Sequence, residues 1–310
     1  MGKKILVAID DSRQAVDTVG YAAQIAAVIS PVTFSLLHVQ PSLSQYLTDE
    51  AQSRHSARQA LEKVMAENEK KARALLDAAA RRMIVQGIDD SRIERVTLPK
   101  NTGVADDILA MGTVKSFDAI LVGRRGASYL RQLFMGSVTA NLVEHSNLIP
   151  IWVVDGTVPD GNVLLAADGS QATLRALDHM AFMLSGQPTQ PIQMLHVRPR
   201  IQDYCEITME KETIQAAESV LLDEDRHCMD DFYSQALAVL QKNGVDNSRL
   251  KINTFEGKLS VPRSIVGYAR DNGFATIVLG RRGRSDSPFF GSVSRGLLQK
   301  AENMSLWLVP

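Results

Sequence analysis

Only two cysteines occur in the 310 residues, Cys205 and Cys228, both in the second half and without CxxC or Cys/His spacing. That excludes a disulfide scaffold and the common zinc modules, and both thiols are expected to be reduced. Charge of one sign is not in excess either: 34 Lys+Arg stand against 35 Asp+Glu, a net charge of −1. Residues 1–155 carry 18 basic against 17 acidic groups, and residues 156–310 carry 16 against 18. Neither half has the field of a dedicated nucleic-acid or anionic-membrane binder, so no partner of either kind is expected. No apolar run approaches the roughly 18 residues of a membrane helix, and MGKKILVAID enters a strand-like run at once, unlike a signal peptide. The myristoylation pattern fails at Leu6. The default expectation is therefore a cytoplasmic protein. GxxxxGK[ST], HExxH and nucleophile-elbow elements are missing as well.

What the chain does have is a hydrophobic share of 45% with 22% charged residues, enough to fill a core and too apolar for disorder. Its length suits about two domains, and an internal duplication says where they lie. ILVAIDDSRQAV (5–16) aligns with VLLAADGSQATL (163–174), and LLHV (36–39) with MLHV (194–197), both at an offset of 158. At 157, QGIDDSRI (86–93) meets NGVDNSRL (243–250) and ILVGRRG (120–126) meets IVLGRRG (277–283). MGSVT (135–139) meets FGSVS (290–294) at 155. DGTVPDG (155–161) reads as a linker between domains 1–154 and 162–310.

Each copy alternates short β-branched runs with longer segments of helical period, which predicts an α/β fold with five parallel strands per copy. In the first copy strands are expected at 3–9, 32–39, 92–98, 118–122 and 149–154, with helices near 51–86, 103–115 and 137–146. Val16, Val19, Ala23 and Ala26 form one helical stripe, repeated as Leu174, Leu177, Ala181 and Leu184. The last strands, IPIWVV and LWLVP, would lie at a sheet edge in a flavodoxin-like order. A hydrophobic edge needs a partner, so the two copies are expected to pair edge to edge as a pseudo-dimer, with a homodimer as the further option. Residues 40–60 and 198–215 read as long loops.

The chemistry concentrates in ILVGRRGASYLRQLFMGSVTANLVEH (120–145). A strand ends at Gly123, Gly126 follows, Gly136 comes nine residues later, and Ser137 opens a helix. Glycines let backbone N–H groups approach an oxyanion, and a helix start adds unpaired donors and partial positive charge. This is the pattern of a phosphate cradle. Ser137 and Thr139 could donate hydroxyl bonds or simply cap the helix. Arg124 and Arg125 lie between the glycines and could steer an anion toward the loop, although long side chains at a loop tip more often point to water. Asp10 and Asp168 end their first strands, at the edge where open α/β sheets bind ligands. Each is open to two readings, a ribose or metal contact and a cap for the next helix. His38 and His196 hold matching places and read as structural, and His145 beside Glu144 has no second ligand set.

At these residues the sequence resembles the universal stress protein family, as a tandem member. The family's nucleotide-binding members carry G-x2-G-x9-G-(S/T) after the fourth strand, which Gly123, Gly126, Gly136 and Ser137 reproduce. The resemblance extends to Asp10 in VAIDDS, to Val39 at the end of LLHV, and to ADGSQATLRAL (167–177) in the second copy. It implies two Rossmann-like, three-layer domains of the adenine nucleotide alpha hydrolase-like kind. It also implies binding of ATP or AMP, with Mg2+ or Mn2+ beside ATP, and a regulatory role in stress response. The implied first site comprises Asp10, Val39, Gly123, Gly126, Gly136, Ser137, Val138 and Thr139. The second would use Asp168, Val197, Gly280, Gly283, Gly291 and Ser292. There only seven residues separate Gly283 from Gly291, and Asp286 and Pro288 stand in between. A carboxylate disfavours phosphate and proline lacks a donor, so the second site is expected to be weaker. Two other functions compete: a slow ATPase or phosphotransferase using Asp10 and Ser137, and a nucleotide-free scaffold for an apolar ligand or protein.

Overall fold

Aliphatic and β-branched runs form the strands of a computed structural model that describes residues 2–124, 135–185, 191–198, 200, 211–256, 260–281 and 291–310. The chain divides into two units, Met1–Val154 and Asp155–Pro310. Unit one contains strands β1 (Lys3–Ala8), β2 (Val32–Gln40), β3 (Ile93–Pro99), β4 (Ala119–Gly123) and β5 (Ile151–Asp155). They lie in the order β3-β2-β1-β4-β5, with parallel pairing throughout. Parallel strands covered on both faces are apolar on both, and Ile5, Leu6, Val7, Ile120 and Leu121 are indeed fully buried.

The helices of this unit are α1 (Gln14–Ile29), α2 (Gln45–Ser53), α3 (His55–Val85), α4 (Val104–Val114) and α5 (Ser137–His145). Helix α1 packs on α3 and α4 packs on α5. The flavodoxin-like order is not found: the chain steps from β1 outward to β3 and returns to β4 on the other side, the Rossmann arrangement. The last strand of the unit still ends its strand order. Between β1 and β4 the strand sequence reverses, and the carboxyl ends there open a crevice.

Unit two repeats the plan with β6 (Asn162–Ala167), α6 (Gln171–Leu184), β7 (Ile192–Val197), α7 (Lys211–Lys242), β8 (Leu250–Phe255), α8 (Val261–Asp271), β9 (Phe274–Gly280), α9 (Ser292–Lys300) and β10 (Met304–Val309). Its order is β8-β7-β6-β9-β10, again parallel.

Two expectations change. Val16 is 45% exposed although Val19, Ala23 and Ala26 are buried, whereas the matching stripe in α6 is buried throughout. Residues 40–60 are not a loop but hold α2 and the start of α3, separated at Arg54, whose backbone is extended (φ −118°, ψ 120°). Ala51 is the buried residue of α2, so its sequence shows little apolar period to detect. Of the 198–215 segment, residues 199 and 201–210 lie outside the described residues.

Candidate functional site

The carboxyl ends of β1, β2 and β4 and the first turns of α4 and α5 enclose a cleft of about 290 Å³. It is lined by Asp10, Val39, Gly123, Gly136, Ser137, Val138 and Thr139, together with Ile9, Leu37, Val104 and Ile108. Every residue expected at the first site is thus in one place, apart from Gly126, which lies outside the described residues, as do Arg125 and Arg131. The apolar wall from α4 was invisible in the sequence, where Val104 and Ile108 look like ordinary core spacing.

Helix α5 shows how the cradle is built. Gly136 is its N-cap (φ −59°, ψ 146°), and no side chain caps the helix. Ser137 is therefore the first helical residue, and the N–H groups of 137, 138 and 139 have no carbonyl a turn below. The Gly136 N–H donates to the Arg124 carbonyl at 2.8 Å, and the Arg124 N–H donates to the Val154 carbonyl at 2.7 Å. These bonds fix Arg124 and Gly136 side by side, and among the described residues the donors left for a ligand belong to the helix start. The Thr139 hydroxyl donates to the Gly123 carbonyl at 2.7 Å, and Thr139 is buried. What Thr139 presents to the cleft is its backbone. Arg124, expected to reach water, is 4% exposed and belongs to the interior.

Asp10 neither caps α1, whose N-cap is Arg13, nor stands free. Its Oδ1 accepts from the Ser12 N–H at 3.1 Å and from the Ser12 hydroxyl at 2.5 Å. Among the described residues its Oδ2 has no partner, which leaves one carboxylate oxygen for a ligand. The His38 Nδ1 faces the Ile9 carbonyl at 2.8 Å and must carry the proton, since a carbonyl can only accept. It ties β2 to β1, the structural role expected.

In unit two the same places are differently committed. The Asp168 Oδ1 accepts from the Ser170 N–H at 3.0 Å and the Thr173 hydroxyl at 2.6 Å. The Ser170 hydroxyl accepts from the Thr173 N–H and caps α6. His196 repeats the carbonyl bond, to Ala167 at 3.0 Å, and its Nε2 lies 2.8 Å from Asp225 Oδ2, with both residues buried. Val197 ends β7, Gly291 is the uncapped N-cap of α9, and Ser292 follows it. The Ser294 hydroxyl bonds the Gly280 carbonyl at 3.1 Å, as Thr139 does in unit one. A Cβ on Gly280 would stand 2.6 Å from the Ala172 Cβ and 2.8 Å from its backbone carbon, so this glycine is needed to let α6 approach β9. Gly283, Asp286 and Pro288 lie outside the described residues.

Comparison with known proteins adds the following. The profile of the universal stress protein family matches residues 1–155 and again 161–310. A universal stress protein from Archaeoglobus fulgidus superposes with a TM-score of 0.63 at 17% identity, over 99% of this chain and 97% of that one. A functionally unknown protein from Pseudomonas aeruginosa gives 0.53 at 17%, over 99% and 92%. A putative universal stress protein from the same species gives 0.52 at 16%, over 99% and 92%. At such identities the superpositions speak for the fold. No curated protein matches the sequence.

Proposed function

The chain belongs to the universal stress protein family, and from that membership we propose that its first unit binds an adenine nucleotide, ATP or AMP, and that occupancy regulates the protein in a stress response rather than feeding fast turnover. One observation carries this reading: a single cleft gathers Asp10, Val39, Gly123 and the run Gly136, Ser137, Val138 and Thr139, from four separate stretches of the sequence. The parts divide by chemistry. The uncapped start of α5 offers N–H donors and the positive end of its dipole to a phosphate. Ile9, Leu37, Val104 and Ile108 supply the apolar surface a base needs, beside the backbone of Val39 at the end of β2. Asp10 keeps one carboxylate oxygen for a ribose hydroxyl or a cation.

A divalent ion with ATP fits this site in one way. No group of three or more His, Cys, Asp or Glu stands ready for a metal among the described residues. Mg2+ usually takes one or two carboxylates and fills its shell with phosphate oxygens and water, so Asp10 together with a triphosphate suits it. The ion would neutralise phosphate charge.

Isothermal titration of the full chain with AMP and with ATP and magnesium tests the proposal. One strong equivalent per chain is expected, and Gly136→Asp should abolish it, because a carboxylate at the helix mouth repels the phosphate while still capping α5. No heat from the unaltered protein would sink the reading. A phosphate-release assay on the same material decides against regulation if turnover proves rapid.

A further inference from the structure

At the opposite, amino edge of the unit-one sheet, a second cavity of about 170 Å³ opens between the starts of β1, β2, β3 and β4. It is lined by Lys4, Arg92 and Lys115, by Phe34 and Phe117, and by Glu94 among polar neighbours. The Glu94 carboxylate is already occupied: it accepts from the Ser35 hydroxyl at 2.5 Å, and Lys115 Nζ lies 3.9 Å away. Arg92 is anchored by its Nε, which donates to the Val32 carbonyl at 2.8 Å. Its Nη2 is shut off from solvent and has no hydrogen-bond partner among the described residues. A buried donor on a charged group without an acceptor is costly, and a missing anion or water is the ordinary explanation.

The duplication shows that the fold does not require this charge. Arg92 and Phe117 recur in unit two as Arg249 and Phe274, and the Arg249 Nη2 is shut off from solvent like that of Arg92, so the arginine with its enclosed donor belongs to the architecture. Lys4 and Lys115 correspond instead to Asn162 and Asn272, and Glu94 to Lys251. The cationic pair beside the shared arginine is particular to unit one.

We propose that this amino-edge cavity is a binding site for a small phosphate monoester, with its phosphate held between Arg92, Lys4 and Lys115 and its body resting on Phe34 and Phe117. The size agrees: about 170 Å³ is room for a phosphate and a few carbon atoms. The site is independent of the cleft at the carboxyl edge, so either can fail without the other.

Amide chemical shifts of the full chain, recorded with AMP present to fill the cleft, provide the test. Titration with glycerol phosphate should move Thr33–Ser35, Ser91–Glu94 and Lys115–Phe117, and inorganic phosphate should move the same amides more weakly. Equal shifts with the two probes would reassign the site to the free ion and overturn the monoester. Lys4→Gln with Lys115→Gln, both exposed and safe for folding, should weaken binding about tenfold or more. Arg92→Gln should remove it, with circular dichroism to verify that the fold persists. Unmoved amides at the amino edge, or unchanged affinity in the double lysine variant, would overturn the proposal.

Discussion

Thr139 shows how a residue can lie at a site and serve it indirectly. Its hydroxyl holds the Gly123 carbonyl, and Ser294 does the same for Gly280 in the second copy. Thr139→Val keeps the shape and removes the donor, so it should cost about 1–2 kcal/mol in urea denaturation. Thr139→Ser should restore the loss. His179 on α6 tests a different residue-scale effect. Its ring meets Trp307 edge-on at 5.8 Å, and burial pushes its pKa down to about 3 against the opposing pull of Asp178. The folded chain therefore refuses a proton that the unfolded chain accepts below about pH 6.5. Stability should fall as pH drops from 6.5 toward 3. Within that window the slope should approach the ~1.4 kcal/mol per pH unit of one proton taken up on unfolding, and flatten at both ends. Comparing urea midpoints at neutral and mildly acid pH checks this, and His179→Gln should flatten the difference.

At the scale of elements, the start of α5 is the decisive piece. Gly136 has the extended backbone that a following proline prefers, and proline is well tolerated at the first helical position. Ser137→Pro should leave the melting temperature nearly unchanged while removing one N–H and one hydroxyl from the cradle. AMP affinity should then drop about tenfold, read by titration calorimetry. A parallel loss of helix and binding would mean that Ser137 acts through folding. The strands and most helices were legible because parallel strands covered on both faces are continuous apolar runs, as in ILVA and AILV. Helix α2 was not, since Ala51 is its buried residue and a helix touching little core leaves no period to read.

Across the whole molecule, two copies of one plan have diverged at matching places. Asp10 and Asp168 each commit one carboxylate oxygen locally, to Ser12 in unit one and to Ser170 and Thr173 in unit two, and His196 meets Asp225 where His38 has no such partner among the described residues. The shorter segment of unit two, with Asp286 and Pro288 between Gly283 and Gly291, is the reason to expect the stronger nucleotide affinity in unit one. Gly291→Asp should leave the single AMP equivalent intact, in contrast to Gly136→Asp, when both are titrated side by side; loss of binding from Gly291→Asp alone would assign the strong site to unit two. The sequence by itself determined the duplication, the parallel α/β architecture of each half and the residue types of the cradle. These are local patterns: repeat offsets, apolar periods and glycine spacing survive without knowledge of what packs where. Only the tertiary structure decided which groups remain available. That Arg124 lies inside, that the Thr139 hydroxyl turns to a carbonyl, and that Val104 and Ile108 wall the cleft all depend on neighbours distant in the chain. So does the meeting of Lys4, Arg92 and Lys115 at the amino edge, because parallel strands bring together the ends of segments that the sequence keeps far apart.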